Sequence, residues 1–540
     1  MPQDMVPAQG AGNPAPSADP SDETPILVPG KTCWRIARAH RFALIVDAAD
    51  YFRTAQRAME AARESIMAVG WDFDLRINLR PDLEGPENTG RSRYRLGDLI
   101  QRIVAKNRRL HAYILKWDIA MLQTITTQIV PLMALHWLTT SRIHFRLDSN
   151  HPLGASHHQK ILVIDDSLAF CGGIDMTHDR WDTRDHTPGD TRRRRPDGSP
   201  YGPFHDVTTA CDGPAAEALG EVVRRRWRHS GGGSIKRVRQ RRAVWPEGLN
   251  VTMRDVDVAV ARTEPSYNGR EEVREIEALY LAVIRRAKRT LYLESQYFAS
   301  SVIRDAIAER LREPDGPEIV VINPLSAASW LEEQAMDRAR AHAVNILKEA
   351  DQHGRFRIYY PVNAIGTPIY VHAKVVVMDE RLLRIGSSNL NNRSMGFDTE
   401  CDIALEAVPG SPNQKELSAT ILRFRNDLLA EHLGVDSQEV ERALVEHGSL
   451  VRAIDALRRP EGRTLLELET RPIGEAELAV LQTHMMDPER PGQGERRLAH
   501  LLKRSVARLR PGRAAFLAGT VATGYLLGRR YRRDIRRARR

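Results

Sequence analysis

The chain has few cysteines, and their spacing excludes two common uses of this residue. Four cysteines occur among 540 residues, at positions 33, 171, 211 and 401, and none belongs to a Cys-x-x-Cys pair. Disulfide-rich domains and zinc modules carry closely spaced cysteines. We therefore expect reduced, buried thiols and no metal site built on cysteine.

A secretory signal and a long apolar run are also missing. The first 25 residues are polar and rich in proline and alanine, without the basic and apolar regions of a signal peptide. We predict that residues 1–28 are disordered. An apolar segment of fifteen residues, 514–528, would form about 22 Å of helix, against the ~30 Å hydrocarbon core of a membrane. Arginines flank it, so it suits either a core helix with a basic tail or a helix at a membrane interface.

Lysine is scarce, with ten among the 80 basic residues, so the net charge of +10 comes almost entirely from arginine. A basic balance suits nucleic acid, acidic lipid or a phosphorylated substrate, and the charge alone does not choose among these partners. The length predicts two or more domain-sized units. We expect a cytoplasmic protein that associates with a membrane.

Helical patterns alternate with short apolar runs twice along the chain, which predicts an α/β fold. The first series covers residues 29–230 and the second residues 246–412, so the repeat has the size of a domain. A glycine-rich, basic linker is predicted between them, at residues 231–245. Residues 413–510 read as a helical C-terminal region without strand signals, and residues 511–540 as a short hydrophobic segment with a basic tail.

One motif, H-x-K-x-x-x-x-D, occurs once in each half, and glycine follows both copies at the same offset. Given 18 histidines, chance predicts only about 0.02 such matches in a chain of this composition. We take the motif residues as catalytic candidates. They are His158, Lys160 and Asp165 in the first half and His372, Lys374 and Asp379 in the second.

The motif combines residue types that suit phosphoryl transfer. Residues two apart on a strand point to the same face, so the histidine and lysine of each copy would share one cleft. A neutral imidazole can attack phosphorus while a protonated one donates to the leaving alcohol. Two lysines would stabilise the phosphoryl charge. We therefore expect no metal and no cofactor in the reaction.

The two aspartates of the motif allow more than one interpretation. Asp165 and Asp379 each follow a predicted strand. They could orient neighbouring catalytic groups, or they could pair with arginine and serve the structure alone. The sequence does not separate these roles.

These motifs resemble those of the phospholipase D superfamily, and the resemblance extends from Leu44 to about Cys401. The segments GGIDMTHDRWDT, FHDVTTACDGP and LYLESQYF also resemble that family. The last segment resembles its lipid-cleaving branch. The resemblance implies two similar α/β/α halves packed as a pseudo-dimer, with the active site between them, in a monomer with internal two-fold pseudo-symmetry.

The resemblance also implies roles for individual residues. His158 would be the nucleophile and His372 the acid, while both lysines and Asn389 would hold phosphate oxygens. Glu400 would orient an imidazole, and Ser387 joins this group as a phosphate-binding or supporting residue. The first-half counterpart of Glu400 stays open, with Asp182 and Asp185 as candidates that are equally consistent with loop residues.

A family member of this kind would hydrolyse a phospholipid at a membrane surface, with water or an alcohol as acceptor. A cardiolipin synthase-like phosphatidyltransferase is a close alternative, because an alcohol acceptor gives head-group exchange. A nuclease of the same family is a second alternative, although no nucleic-acid-binding module is recognisable and we expect no nucleic-acid partner. A catalytically silent membrane scaffold is a third, disfavoured by the two intact motifs.

Overall fold

One continuous mixed sheet of sixteen strands runs through both halves of the chain. The structure is a computed structural model, described here for residues 24–84, 92–118, 141–238, 245–327, 336–481 and 487–492. Helices cover both faces of the sheet, as the family resemblance implies.

The first half supplies strands β1–β8 and helices α1–α3. In chain order these elements are β1 (Arg35–Val46), α1 (Ala48–Ala61), β2 (Ser65–Gly70), α2 (Leu96–Lys106), β3 (His111–Trp117), β4 (Ile143–Asp148), β5 (Ile161–Ile164), β6 (Leu168–Gly172), β7 (Phe204–His205), β8 (Val207–Asp212) and α3 (Gly213–His229).

The second half repeats this series and is followed by further helices. Its elements are β9 (Met253–Glu264), β10 (Val273–Arg274), α4 (Glu275–Arg286), β11 (Thr290–Glu294), α5 (Ser301–Arg312), β12 (Glu318–Ile322), α6 (Arg338–Ala350), β13 (Phe356–Val362), β14 (Tyr370–Val371), β15 (Val375–Met378), β16 (Leu382–Gly386), α7 (Asn392–Gly396) and β17 (Glu400–Glu406). After them come α8 (Gln414–Leu433), α9 (Ser437–His447), α10 (Leu450–Leu457), β18 (Thr464–Glu467) and α11 (Glu475–Leu481).

The strand order has a two-fold pattern centred on the antiparallel pair β1 and β9. Outward from β1 the order is β8, β6, β5, β2, β3 and β4, and outward from β9 it is β17, β16, β15, β11, β12 and β13. In each arm the outer three strands are parallel to one another and the rest pair antiparallel. The predicted α/β fold of two similar halves is confirmed.

The strands that follow the histidine motifs are buried on both faces. β5 (ILVI) and β15 (VVVM) are continuous apolar runs in which every residue is buried, as expected where helices cover both faces of a sheet. Val163 and Val377 belong to one core that spans both halves and includes residues of α3 and α8. On the opposite face, α1 and α2 cover the first half and α4–α6 the second. The two halves therefore share a core.

Three predicted boundaries need correction. Residues 24–28 are not disordered, because Ile26 and Leu27 are buried and their backbone N–H groups donate to the carboxylate of Glu406 at 2.9 Å. The region 413–510 contains a strand, β18, which extends the sheet by pairing with β13. Ile235, within the predicted linker, is buried and accepts a hydrogen bond from Arg224 of α3 at 3.1 Å.

The predictions for residues 1–23 and 511–540 lie outside the described residues. Within the described ranges, no helix is both long and apolar enough to cross a membrane.

Candidate active site

Each motif histidine is bound by a carboxylate from the other half of the chain. Nδ1 of His158 lies 3.0 Å from Oε2 of Glu400. Nδ1 of His372 lies 2.6 Å from Oδ2 of Asp206. The two pairs cross the boundary between the halves, so neither half holds a complete site on its own. The site therefore lies where the family resemblance predicts it, between the halves.

Glu400 is held by hydroxyl groups in the second half. Oγ of Ser387 donates to Oε2 of Glu400 at 2.5 Å, and Oγ of Ser394 donates to Oε1 at 2.7 Å. Burial raises the pKa of Glu400 well above its usual value, and the hydrogen bonds from these two hydroxyls offset only part of that rise. The hydroxyls fix the carboxylate so that it accepts the Nδ1–H of His158, and Nε2 of that imidazole is left for chemistry.

Asp206 is the first-half counterpart of Glu400, and the sequence did not identify it. Gly386 of β16 pairs with Asp402, two residues after Glu400, and Gly172 of β6 pairs with Thr208, two residues after Asp206. Oδ1 of Asp206 accepts the backbone N–H of Val207 at 2.7 Å. The sequence segment FHDV contains Asp206, but the equivalence of Asp206 to Glu400 is visible only from the strand register.

The two proposed counterparts of Glu400 do not take that position. Asp182 binds His186 and Arg193, with distances of 2.9 Å in both cases. No described contact joins Asp182 or Asp185 to either motif histidine. Asp182 instead belongs to a second buried cluster, close to the active site.

The motif lysines lie beside the histidines but differ in their partners. The histidine and lysine of each motif lie just before strands β5 and β15 rather than within them. Nζ of Lys160 forms an ion pair with Oδ2 of Asp175 at 2.9 Å and donates to the carbonyl of His158 at 2.9 Å. Nζ of Lys374 donates to the carbonyl of His372 and lies 3.4 Å from Oε1 of Gln296. Burial lowers the pKa of Lys374 to about 7.

Both imidazoles are electrostatically biased toward the neutral form. Burial lowers the pKa of His158, and Lys160 and Lys374 lower it further. Burial also lowers the pKa of His372, with Lys374 and Arg180 acting in the same direction. An anionic phosphodiester between the histidines would oppose this effect, because a nearby negative charge raises the pKa of a histidine. The site thus has neutral nucleophiles before substrate binds and can hold an acid afterwards.

Asn389 lies at the position where the first half has Asp175, three residues after the equivalent glycines. The side chain of Asn389 is buried, and its Oδ1 has no hydrogen-bond partner in the described structure. Buried amide groups normally find a partner. The unpaired atom is the amide oxygen, which accepts hydrogen bonds, so the predicted contact of Asn389 with phosphate oxygens would need its Nδ2 amide donor instead.

Asp165 and Asp379 lie at the opposite ends of β5 and β15 from the motif histidines. The carboxylate of Asp165 accepts the backbone N–H groups of residues 63–65 at 2.7–2.8 Å, and that of Asp379 accepts those of residues 288–290 at 2.7–2.9 Å. Each aspartate follows its strand whereas each histidine precedes it, a separation of about 20 Å along an extended chain. This corrects their placement among the catalytic candidates, because their contacts fix the start of β2 and β11.

The glycines after each motif are required by close packing between strands. A Cβ on Gly172 would lie 2.4 Å from Cα of Thr208, and one on Gly386 would lie 2.6 Å from Cα of Asp402. Both contacts are with backbone, which cannot move aside as a flexible side chain can. The glycines therefore let β8 and β17 approach closely enough to present Asp206 and Glu400 to the histidines.

Two family models match the chain across the two motifs. One, described as Phospholipase D, matches residues 139–309, and the other, described as Cardiolipin synthase, PLD-like domain, matches residues 280–420. Together they cover both histidine motifs. The chain belongs to the phospholipase D superfamily.

Curated members of the superfamily are similar over most of the chain. The chain is 24% identical over 464 residues to Phospholipase D A of Dictyostelium discoideum, covering 73% of this chain and 35% of that protein. It is 24% identical over 518 residues to Phospholipase D alpha 1 of Zea mays, covering 70% and 63%. Against Phospholipase D1 of Schizosaccharomyces pombe the identity is also 24%, covering 76% and 37%. The chain thus spans 63% or less of these relatives' lengths.

Among solved structures, the chain matches the phosphatidylserine synthase of Haemophilus influenzae. It has 12% sequence identity and a TM-score of 0.48, with 73% of this chain and 88% of that chain covered.

Proposed function

We propose that the protein is a phospholipase D, which hydrolyses the distal phosphodiester of a glycerophospholipid to phosphatidic acid and a free head-group alcohol. The observation that carries the proposal is the pair of motif histidines, each bound at Nδ1 by a carboxylate from the opposite half. With Nδ1 occupied, both Nε2 atoms are available to one substrate phosphorus. The names of the curated relatives support the choice of lipid as substrate.

The reaction would proceed in two displacements. Nε2 of His158 attacks phosphorus, and the bond from phosphorus to the head-group oxygen breaks as His372 protonates that oxygen. His372, now neutral, takes a proton from water, and the resulting hydroxide displaces His158 from phosphorus. Phosphatidic acid leaves, and both histidines return to their starting states.

The charge that develops on the phosphoryl oxygens would be stabilised by Lys160, Lys374 and the amide of Asn389. Glu400 and Asp206 would each hold the tautomer with its proton on Nδ1, which leaves the Nε2 lone pair directed at the substrate. Both carboxylates are fully buried, so water does not weaken these bonds.

The test is lipid turnover by the full chain in the presence of ethanol. Vesicles of phosphatidylcholine and phosphatidylethanolamine are assayed for free head group, phosphatidic acid and phosphatidylethanol. The wild type is compared with His158→Ala, His372→Ala and the control His144→Ala, which removes a half-buried imidazole of β4 that lies against His111 and Tyr113. We expect phosphatidylethanol from the wild type and the control only.

A phosphatidyltransferase is the second candidate, favoured by the match of residues 280–420 to the family model described as Cardiolipin synthase, PLD-like domain. It would use the same covalent step with a lipid alcohol in place of water. Phosphatidylglycerol added to the same assay separates the two, because a transferase would form cardiolipin faster than phosphatidic acid. Cleavage of DNA without lipid turnover would instead make the protein a nuclease.

A further inference from the structure

A second cluster of ionisable side chains lies beside the active site, and the proposed reaction does not use it. It is adjacent to Asp206 in sequence through His205. Its central members are all buried, with side-chain exposures of 0–1%. They are Asp47, His186, His205 and Glu431.

The four side chains place ligand atoms at separations that suit one metal ion. Nδ1 of His205 is 3.1 Å from Oδ1 of Asp47 and 2.9 Å from Oε1 of Glu431. Nε2 of His186 is 3.3 Å from Oε1 of Glu431 and 3.7 Å from Oδ2 of Asp47. Ligands about 2.0–2.1 Å from a tetrahedral zinc ion are roughly 3.3–3.4 Å apart. Only small shifts would close these atoms around an ion.

The other ring nitrogen of each histidine has the partner that metal-binding imidazoles usually have. Nδ1 of His186 lies 2.9 Å from a carboxylate oxygen of Asp182, and Nε2 of His205 lies 3.0 Å from one of Glu294. A carboxylate on the outer nitrogen fixes the ring orientation and makes the inner nitrogen a better ligand. The remaining oxygen of Glu431 binds Arg184, which orients that carboxylate as well.

One atom in the cluster has no partner among the described residues. Oδ2 of Asp47 forms no hydrogen bond, although the Asp47 side chain is 1% exposed. A buried carboxylate oxygen left unpaired is costly, because it gives up its hydrogen bonds to water without gaining a partner in the protein. The atom lies 3.7 Å from Nε2 of His186, too far for a hydrogen bond but at a suitable separation for two ligands of one ion.

The surrounding charge also favours a cation. Asp47, Asp182 and Glu431 place carboxylate oxygens 2.9–3.7 Å from the ring nitrogens of His186. These negative charges attract a cation, and a dication would offset the charge of two of the carboxylates.

We propose that Asp47, His186, His205 and Glu431 bind a divalent transition-metal ion, with zinc as the best match to two imidazole and two carboxylate ligands. Mixed nitrogen and oxygen ligands in a tetrahedral arrangement are typical of zinc. The complete burial of the four ligands suits a structural zinc ion, because a structural site needs no open coordination position for substrate. A cavity of about 220 Å³, lined by Asp47, Asp50 and Arg184 among others, borders the cluster on the Asp47 side.

The ion would connect separate parts of the chain. Asp47 follows β1, His186 lies in the segment before β7, His205 ends β7, and Glu431 lies on α8. It would therefore hold α8, which lies beyond the two similar halves, against the first half. Because His205 precedes Asp206, it would also stabilise the backbone that positions Asp206. The proposal does not rest on the proposed function.

The test measures metal binding by the full chain directly. Protein purified and dialysed against a chelator is titrated with ZnCl₂ or CoCl₂, then measured for bound metal, thermal unfolding and visible absorption. We expect one zinc ion per chain, a rise in Tm of several degrees on adding zinc, and the intense visible bands of tetrahedral Co²⁺. His186→Gln should lose all three responses, whereas the control His144→Gln should keep them.

Asp47→Asn provides a second variant, because it preserves side-chain shape while removing the charge of one ligand. It should bind zinc at least tenfold more weakly than the wild type, with an unchanged circular dichroism spectrum. The proposal is overturned if the wild type binds no stoichiometric zinc and its Tm does not respond, or if a folded His186→Gln retains the Co²⁺ bands. Since none of these readouts involves lipid turnover, failure here is distinguishable from failure of the proposed enzymatic function.

Discussion

In the first half of the chain, Lys160 forms an ion pair with Asp175, whereas in the second half Lys374 has Asn389 at the position of that aspartate. Among the described residues Lys374 forms no ion pair, and burial lowers its pKa to about 7. One lysine thus has a permanent counter-ion and the other does not. The second half therefore gains most from the charge of a bound phosphate.

The two carboxylates differ in a matching way. Glu400 reaches His158 with the help of the Ser387 hydroxyl, while the equivalent position in the first half is Gly173. A Cβ at Gly173 would lie 2.1 Å from Oδ1 of Asp206, so glycine is needed there. The longer side chain, Glu400, has a serine at this position, and the shorter one, Asp206, has a glycine. Equivalent strands thus place equivalent groups by different local chemistry.

These differences suggest how a symmetric fold supports an asymmetric reaction. A nucleophile and a general acid need opposite protonation states at the moment of substrate binding. Two identical histidine environments would not separate those states. The side chain of His158 is 14% exposed and that of His372 is 5% exposed, so the environments also differ in their access to solvent.

The largest expected effect is loss of either histidine. His158→Ala and His372→Ala should each reduce kcat for a natural phospholipid by about 10⁴-fold or more, because each removes one partner of every displacement. A phosphatidyl ester of p-nitrophenol distinguishes the nucleophile from the general acid, because p-nitrophenolate can leave without being protonated. His372→Ala should then release one equivalent of p-nitrophenol in a burst, measured by stopped-flow absorbance.

His158→Ala should give no such burst, because the phosphorus would have no nucleophile. A burst from His158→Ala and none from His372→Ala would reverse the assignment of nucleophile and acid between the halves. Circular dichroism spectra matching the wild type would show that both variants are folded.

The carboxylates should have the next largest effect. Glu400→Gln and Asp206→Asn should lower kcat by about 10²–10⁴-fold, because an amide can hold the histidine in the wrong tautomer. Asp206→Asn should lower it more, since the bond of Asp206 to His372 is 2.6 Å against 3.0 Å for Glu400 and His158. The control is Glu406→Gln, a buried carboxylate on the same strand as Glu400 that binds Arg381 and the backbone of residues 26–27. Equal losses in all three variants would indicate a general effect of buried charge.

Replacement of the two motif lysines should affect the pH dependence of kcat/KM differently. Lys374 is protonated below pH about 7 in the substrate-free protein and loses its charge as the pH rises. Since kcat/KM reports the free enzyme, it should decline above that pH by up to about tenfold per unit. Lys374→Arg should remove the decline, because arginine stays charged. Lys160→Arg should keep it, and an unchanged profile in Lys374→Arg would contradict the prediction.

Much of this arrangement could be predicted from the sequence because it is periodic or repeated. The apolar runs of β5 and β15 identify buried strands, and the repeated motif identifies both histidines and both lysines. Glu400 was also predicted, through a resemblance in sequence position. Each of these features is a short pattern of neighbouring residues, a repetition of such a pattern or, for Glu400, a position 28 residues after the second motif histidine.

What the sequence did not predict depends on contacts between distant residues. Asp206 lies 166 positions from His372, and its equivalence to Glu400 appears only when the pairing of β6 with β8 is known. The cluster around His205 likewise joins Asp47 to Glu431. The strand β18 was missed because four residues within a mostly helical region are too few to establish a period.

The smallest expected effect on catalysis concerns Asp165 and Asp379, where the two halves are alike. Each carboxylate accepts three backbone N–H groups, so Asp165→Asn and Asp379→Asn should each lower the free energy of unfolding by about 2–4 kcal/mol. The two losses should be similar, and kcat should stay within a few-fold of wild type because neither residue contacts a motif histidine. Glu380→Gln, which removes an exposed carboxylate next to Asp379, should change stability by no more than about 0.5 kcal/mol. Urea unfolding followed by tryptophan fluorescence, with lipid turnover measured in parallel, tests this. A folded, stable Asp165→Asn with little activity would return the aspartates to the catalytic group.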